Sequence, residues 1–200
     1  MFHGKRFWFW LVGAALLASS AGVARAADQP ILINGFFERG IEQWVGQYVN
    51  NTLPDPKVER TTTMLAWEQK DTAGKSAGAL RVTLEGMAKL QARSHNAGAA
   101  GMISQNLKAG EEVQVTFKAK SISGGAILKV SRLWGQQTGS VRASLTKEWQ
   151  SFTLRIVPRH DTEGLLFTLI TGEDPDPMAI DEVVDGVFLL DDIVVTPVKP

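Results

Sequence analysis

The 200-residue chain contains no cysteine. That excludes disulfides, a thiol nucleophile, any thiolate metal site and the acylation that anchors a bacterial lipoprotein. Histidine is scarce: there are three, and only His95 and His160 lie beyond the N-terminal segment. No H-E-x-x-H zinc pattern occurs, and the chain reads as a non-enzyme. A paired-carboxylate hydrolase or a lyase stays open, because any two acids can face each other across a cleft. An excess of positive charge is missing too, since 21 basic residues balance 21 acidic ones. A nucleic-acid partner needs a basic surface, and this composition supplies none. A long apolar run is the last absence. The one from Phe7 to Ala18 is about twelve residues, too short for a spanning helix of about 20.

That short run has the flanks of an export signal. Lys5 and Arg6 precede it, and Ala24-Arg25-Ala26 fits the small-x-small rule for cleavage. Residues 1–26 are therefore expected to be a signal peptide, cut before Ala27, with no transmembrane anchor in the mature chain. Residues 27–200 then form a single domain of 174 residues, secreted or periplasmic. Lys5, Arg6 and Arg25 leave with the signal, so 18 basic residues face 21 acidic ones and the mature charge is about −3. Export without disulfides is ordinary for a bacterial domain large enough to bury its own core.

The mature part is written in period two. Leu80, Val82 and Leu84 alternate with Arg81, Thr83 and Glu85. Val113, Val115, Phe117 and Ala119 alternate with Gln114, Thr116, Lys118 and Lys120. Phe152, Leu154 and Ile156 alternate with Ser151, Thr153 and Arg155. Such alternation gives a strand one buried face. Further strands are expected at 31–33, 44–49, 61–67, 126–133, 165–171 and 187–195, with 86–98 as a loop excursion. No stretch carries an apolar stripe at helical spacing. One-sided strands must cover one another, so the expected class is all-β, a two-sheet antiparallel β-sandwich, with a closed barrel as the alternative. Val113, Val115, Phe117, Leu80, Val82, Phe152 and Leu154 are the expected shared core.

Several segments carry a family resemblance. Asn34-Gly35-Phe36-Phe37-Glu38-Arg39-Gly40 followed by Trp44 resembles the opening of jelly-roll carbohydrate-binding modules of families four, nine and twenty-two. Phe188-Leu189-Leu190-Asp191-Asp192-Ile193-Val194-Val195 is similar to their final strand. Gly78 to Val82, Ser104 to Lys120 and Leu145 to Phe152 resemble segments between. Glu112-Val113 stands where the family often has tyrosine, and Arg132 to Gln137 has no counterpart. The resemblance implies a jelly roll, galactose-binding-like in architecture, and a glycan as partner. It also implies a structural calcium near Glu38 and Asp191, completed by backbone carbonyls and water. The alternative for these two acids is a hydrogen bond to loop backbone with no metal.

A glycan site needs a flat aromatic for the C–H face of a sugar and polar groups for its hydroxyls. Trp67, Trp134 and Tyr48 are the aromatic candidates, while Trp44 and Trp149 match structural positions. Arg81, Gln105, Gln114, Lys118 and Arg155 are the polar candidates; a plain solvated sheet face is the other reading of them. Asp174, Asp176, Asp181, Glu182 and Asp185 form an acidic stretch without EF-hand spacing, read as a solvated loop. Non-catalytic glycan binding is thus the expected function. The alternatives are a structural or protein-interaction domain of the cell envelope and a polysaccharide-active enzyme.

Overall fold

The structure, a computed structural model, describes residues 32, 34–47, 62–87, 97–132, 141–158, 160–170 and 183–198, with backbone alone at 47, 104–106, 132, 162 and 163. The expected signal peptide and the strand at 31–33, apart from Leu32, lie outside these residues. Ten strands run in chain order: β1 (Trp44–Gln47), β2 (Thr62–Glu68), β3 (Ala79–Glu85), β4 (Gly98–Leu107) and β5 (Val113–Gly124), then β6 (Ile127–Arg132), β7 (Val141–Ser144), β8 (Gln150–Ile156), β9 (Thr162–Ile170) and β10 (Gly186–Pro197). No helix occurs among the described residues.

They form two five-stranded antiparallel sheets, ordered β1-β4-β9-β6-β7 and β2-β3-β10-β5-β8. The pairing is nested. β6 pairs with β7, β5 with β8, β4 with β9 and β3 with β10. One long antiparallel hairpin, folded over so that successive pairs fall alternately in the two sheets, gives this order; it is the eight-strand jelly roll. β1 and β2 extend it by one strand per sheet, on β4 and β3.

The core lies between the sheets. Leu80, Val82, Val113, Val115 and Phe117 are buried there, as their alternation requires. Phe117 sits between Phe152 and Phe167, with ring centres 5.2 and 5.7 Å away. Phe152 and Leu154 are only partly buried. They lie on β8, an edge strand with one hydrogen-bonded neighbour, so one flank of each stays open. The chain's start closes the core. Phe37, fully buried at φ 49°, packs on Trp44 at 5.4 Å, and Trp44 Nε1 donates to the Asn34 carbonyl.

Two strands differ from the sequence expectation. β7 is only four residues long. β4 reads Gly-Ala-Ala-Gly-Met at its start and has weak strand propensity. Its small residues are required by packing: a Cβ on Gly101 would stand 2.7 Å from the Trp44 ring.

Candidate functional site

Each sheet has an outer face, and the two differ. Cross-strand register assigns Arg81, Leu189, Asp191, Lys118, Lys120, Thr116 and Gln114 to the outer face of the sheet containing β10. Ser151, Thr153 and Arg155 continue it on β8. The loop 69–78, between β2 and β3, is fastened across part of this face. Ala73 N–H donates to Asp191 Oδ2 at 3.0 Å, the Ser76 hydroxyl donates to the same oxygen, and Asp192 N–H donates to Oδ1 at 2.8 Å. Lys118 Nζ donates to the Ala73 carbonyl at 3.0 Å and meets Asp192 Oδ2 at 2.8 Å. Asp71 accepts from Trp149 Nε1 at 2.9 Å and pairs with Lys120 Nζ at 2.5 Å; that ammonium also lies 5.7 Å from the Trp149 ring centre.

Asp191 is fully buried under this loop. Burial pushes its carboxyl above the ordinary range, and the neighbouring Asp192 charge adds to that against the hydrogen bonds from Ser76, Ala73 and Asp192. Asp71 goes the other way. Its own desolvation raises it, but hydrogen bonds from Lys120 and Trp149 and the charges of Lys120 and Arg81 outweigh this and hold it below the ordinary range. The hydrogen bond from Lys118 to Asp192 raises the lysine.

Asp191 does not share a face with Ile193 and Val195, as strict alternation expects. A β-bulge between Asp191 and Val194, with Asp192 at φ 51°, resets the pattern. Asp191 therefore points outward while Ile193 and Val195 stay in the core. The N-terminal segment does meet this strand: Ile193 N–H donates to the Gly35 carbonyl at 2.9 Å. A Cβ on Gly35 would lie 2.0 Å from the Ile193 carbonyl oxygen, so only glycine allows the approach. Glu38 is exposed in the turn that follows. Hydrogen bonds compete with a cation at Asp191. Three of the roughly four lone-pair sites of the Asp191 carboxylate accept hydrogen bonds from N–H and O–H groups, two at Oδ2 and one at Oδ1. No cluster of three or more potential ligand side chains occurs among the described residues.

Sequence reasoning missed one pattern here. Gly74-Lys75-Ser76-Ala77-Gly78 spells the G-x-S-x-G of a nucleophile elbow. That motif needs a strand-to-helix turn and a histidine base. Ser76 instead sits in a strand-to-strand loop with its hydroxyl bonded to Asp191, so it fastens the loop.

The structure separates the proposed sugar-binding residues. Trp67 pairs with Leu80 in register, on the inner side of the edge strand β2. Its Nε1 donates to the Phe37 carbonyl at 2.8 Å, its ring lies against Gly78, and it is 36% exposed. Arg81, Gln114, Lys118 and Arg155 lie on the outer face just described; Arg81 reaches Glu68 and Arg155 reaches Glu112, each at 3.6 Å. Gln105 belongs to β4, in the other sheet, and its side chain is outside the described residues. Tyr48 and Trp134 are also outside them. Of the acidic stretch, Asp185 alone is described; its Oδ1 accepts from Met87 N–H at 2.6 Å.

The outer face of the sheet β1-β4-β9-β6-β7 holds what sequence reasoning passed over. Register sets Thr168 of β9 opposite Lys129 of β6, and Lys129 opposite Arg142 of β7. Ser131 and Leu166 form the next row, and Leu166 packs with Ala100 and Met102. Lys129 and Ser131 are each 3% exposed and Thr168 is 1% exposed, although all point away from the core. Thr168 Oγ1 has no hydrogen-bond partner. The available signals were the single polar residue inside Leu165 to Ile170 and the alternation of Lys129 and Ser131 with Leu128 and Val130.

No protein-family model and no curated protein matches the sequence. Solved structures do resemble the fold. One, described as "CBM4 structure and function", is 15% identical, with a TM-score of 0.49 over 83% of this chain and 99% of its own. The CBM22-1 xylan-binding domain of Paenibacillus barcinonensis Xyn10C is 15% identical, with a TM-score of 0.43 over 83% of this chain and 93% of its own. TmCBM61, solved with β-1,4-galactotriose, is 16% identical, with a TM-score of 0.43 over 86% of this chain and 100% of its own. At these values the likeness concerns the sandwich architecture, and nothing about a site passes from these proteins to this chain.

Proposed function

We propose that the chain is a non-catalytic glycan-binding module, exported through the signal at residues 1–26 and acting in the periplasm or outside the cell. The observation that carries the reading is the jelly-roll strand order, taken with the segments that resemble glycan-binding modules. Trp134 and Tyr48 are proposed as stacking platforms because a flat aromatic covers the C–H face of a sugar and Trp134 stands among Gly135 and two glutamines in the sequence.

A glycan array with intact protein, Trp134→Ala and Tyr48→Ala tests this. Binding by the intact protein, weakened in the variants without loss of melting temperature, is the expected result. Absence of any glycan ligand transfers the weight to an envelope interaction domain, and sugar products accumulating with time transfer it to an enzyme. N-terminal sequencing of exported protein should begin at Ala27 or within about two residues of it.

A further inference from the structure

Phe36 and Trp67 are the exposed aromatic side chains among the described residues, at 41% and 36%. One hydrogen bond brings them together: Trp67 Nε1 donates at 2.8 Å to the carbonyl of Phe37, the residue next to Phe36. The turn that carries Phe36 is held in an unfavourable backbone. Asn34 and Phe37 take φ of 53° and 49°, the left-handed region that side chains rarely adopt. The fold compels this. Phe37 is fully buried against Trp44, Trp44 Nε1 donates to the Asn34 carbonyl, and Asn34 Nδ2 donates to the carbonyls of Gly40 and Glu42 at 3.1 and 2.8 Å. Backbone kept in such a state by its surroundings clusters at binding and active sites. Trp67 is fixed as well: besides its hydrogen bond, its ring lies against Gly78, where any side chain would displace it.

We propose that Phe36 and Trp67 form a stacking platform for one pyranose ring, at the β2 edge of the sandwich. The inference rests on the glycan-binding reading and adds to it where one sugar of the ligand lies. A protein partner needs about 800 Å² on each side, far more than two partly exposed rings offer. A sugar needs only a flat apolar surface under its C–H face, with donors and acceptors beside it. Glu38 and Arg39, both exposed, directly follow Phe37 and supply these to the hydroxyls. Because the turn and the indole are already fixed, little freedom is lost when the sugar binds.

The test is calorimetric titration of the full chain with xylohexaose, with cellohexaose and with a galactan oligosaccharide, each variant being melted in parallel. At least one probe is expected to bind. Phe36→Ala should weaken that binding by about tenfold, the size of a good aromatic contact. It should leave the melting temperature unchanged, because the Phe36 side chain is exposed. Phe36→Tyr keeps a flat ring and should restore the affinity. Trp67→Ala should weaken the same probe at least as much; where it also lowers the melting temperature, through loss of the bond to Phe37, Phe36→Ala decides the matter. Affinity untouched by both alanine variants overturns the platform and leaves the glycan reading standing. A fall in affinity and melting temperature together in Phe36→Ala, not rescued by tyrosine, makes Phe36 structural and overturns the platform too. Binding of no probe overturns the glycan reading, and the platform falls with it.

Discussion

Asp191 is surrounded by donors: two hydrogens point at Oδ2 and one at Oδ1. An amide in its place must turn its NH₂ toward an N–H or O–H whichever way it sits. Asp191→Asn should therefore lower unfolding stability by about 1–3 kcal/mol, the cost of buried groups left unsatisfied, read by denaturant titration. Its pH dependence follows from burial. The folded state raises the Asp191 carboxyl, so it binds the proton more readily than the unfolded chain. That contribution is fully present below the ordinary carboxylate range and is lost as pH rises through the raised value. The deficit of the variant should accordingly be larger in acid than at neutral pH; a deficit that grows toward neutral pH contradicts the assignment. The Asp-Asp pair was legible in the sequence as a feature of the last strand. Its direction was not, because a bulge of one residue leaves no mark in an apolar alternation. Thr168 was illegible for a related reason: one threonine in an apolar strand reads as core, and only pairing partners reveal which way it points.

β5 and β8 show what alternation does and does not encode. It names the face a residue takes but not whether the strand is central or at an edge. Phe117, on the central strand β5, is 2% exposed between two rings, and Phe117→Ala should cost about 3–5 kcal/mol. Phe152 has the same pattern in the sequence but stands on an edge strand, so Phe152→Ala should cost clearly less. Equal losses in chemical denaturation would count against the strand order. β4 is the opposite case, a central strand that does not read as one. Its glycine and alanine positions are set by the bulk opposite them, Trp44 above all, and a propensity scale sees only the residue itself.

For the whole molecule, the sandwich was legible because one-sided strands have few ways to bury their faces. The nested order was not, since pairing partners lie far apart in the chain. The N-terminal segment meets the last strand through the Gly35–Ile193 hydrogen bond, and loop 69–78 is fastened to that strand by Ala73 and Ser76. Melting in EDTA and in millimolar calcium is expected to give the same temperature. A rise in calcium that disappears in Asp191→Ala would restore the ion at Glu38 and Asp191. Loop 69–78, drawn over one outer face, has a further consequence. On the proposed glycan-binding reading, a chain with one binding side has a valency of one. It can coat a long polysaccharide, crowding along it and stiffening it, but it cannot bridge two strands. Mixtures with a soluble polymer should stay clear at any ratio, whereas a two-sided binder of the same affinity would cross-link the polymer into a gel.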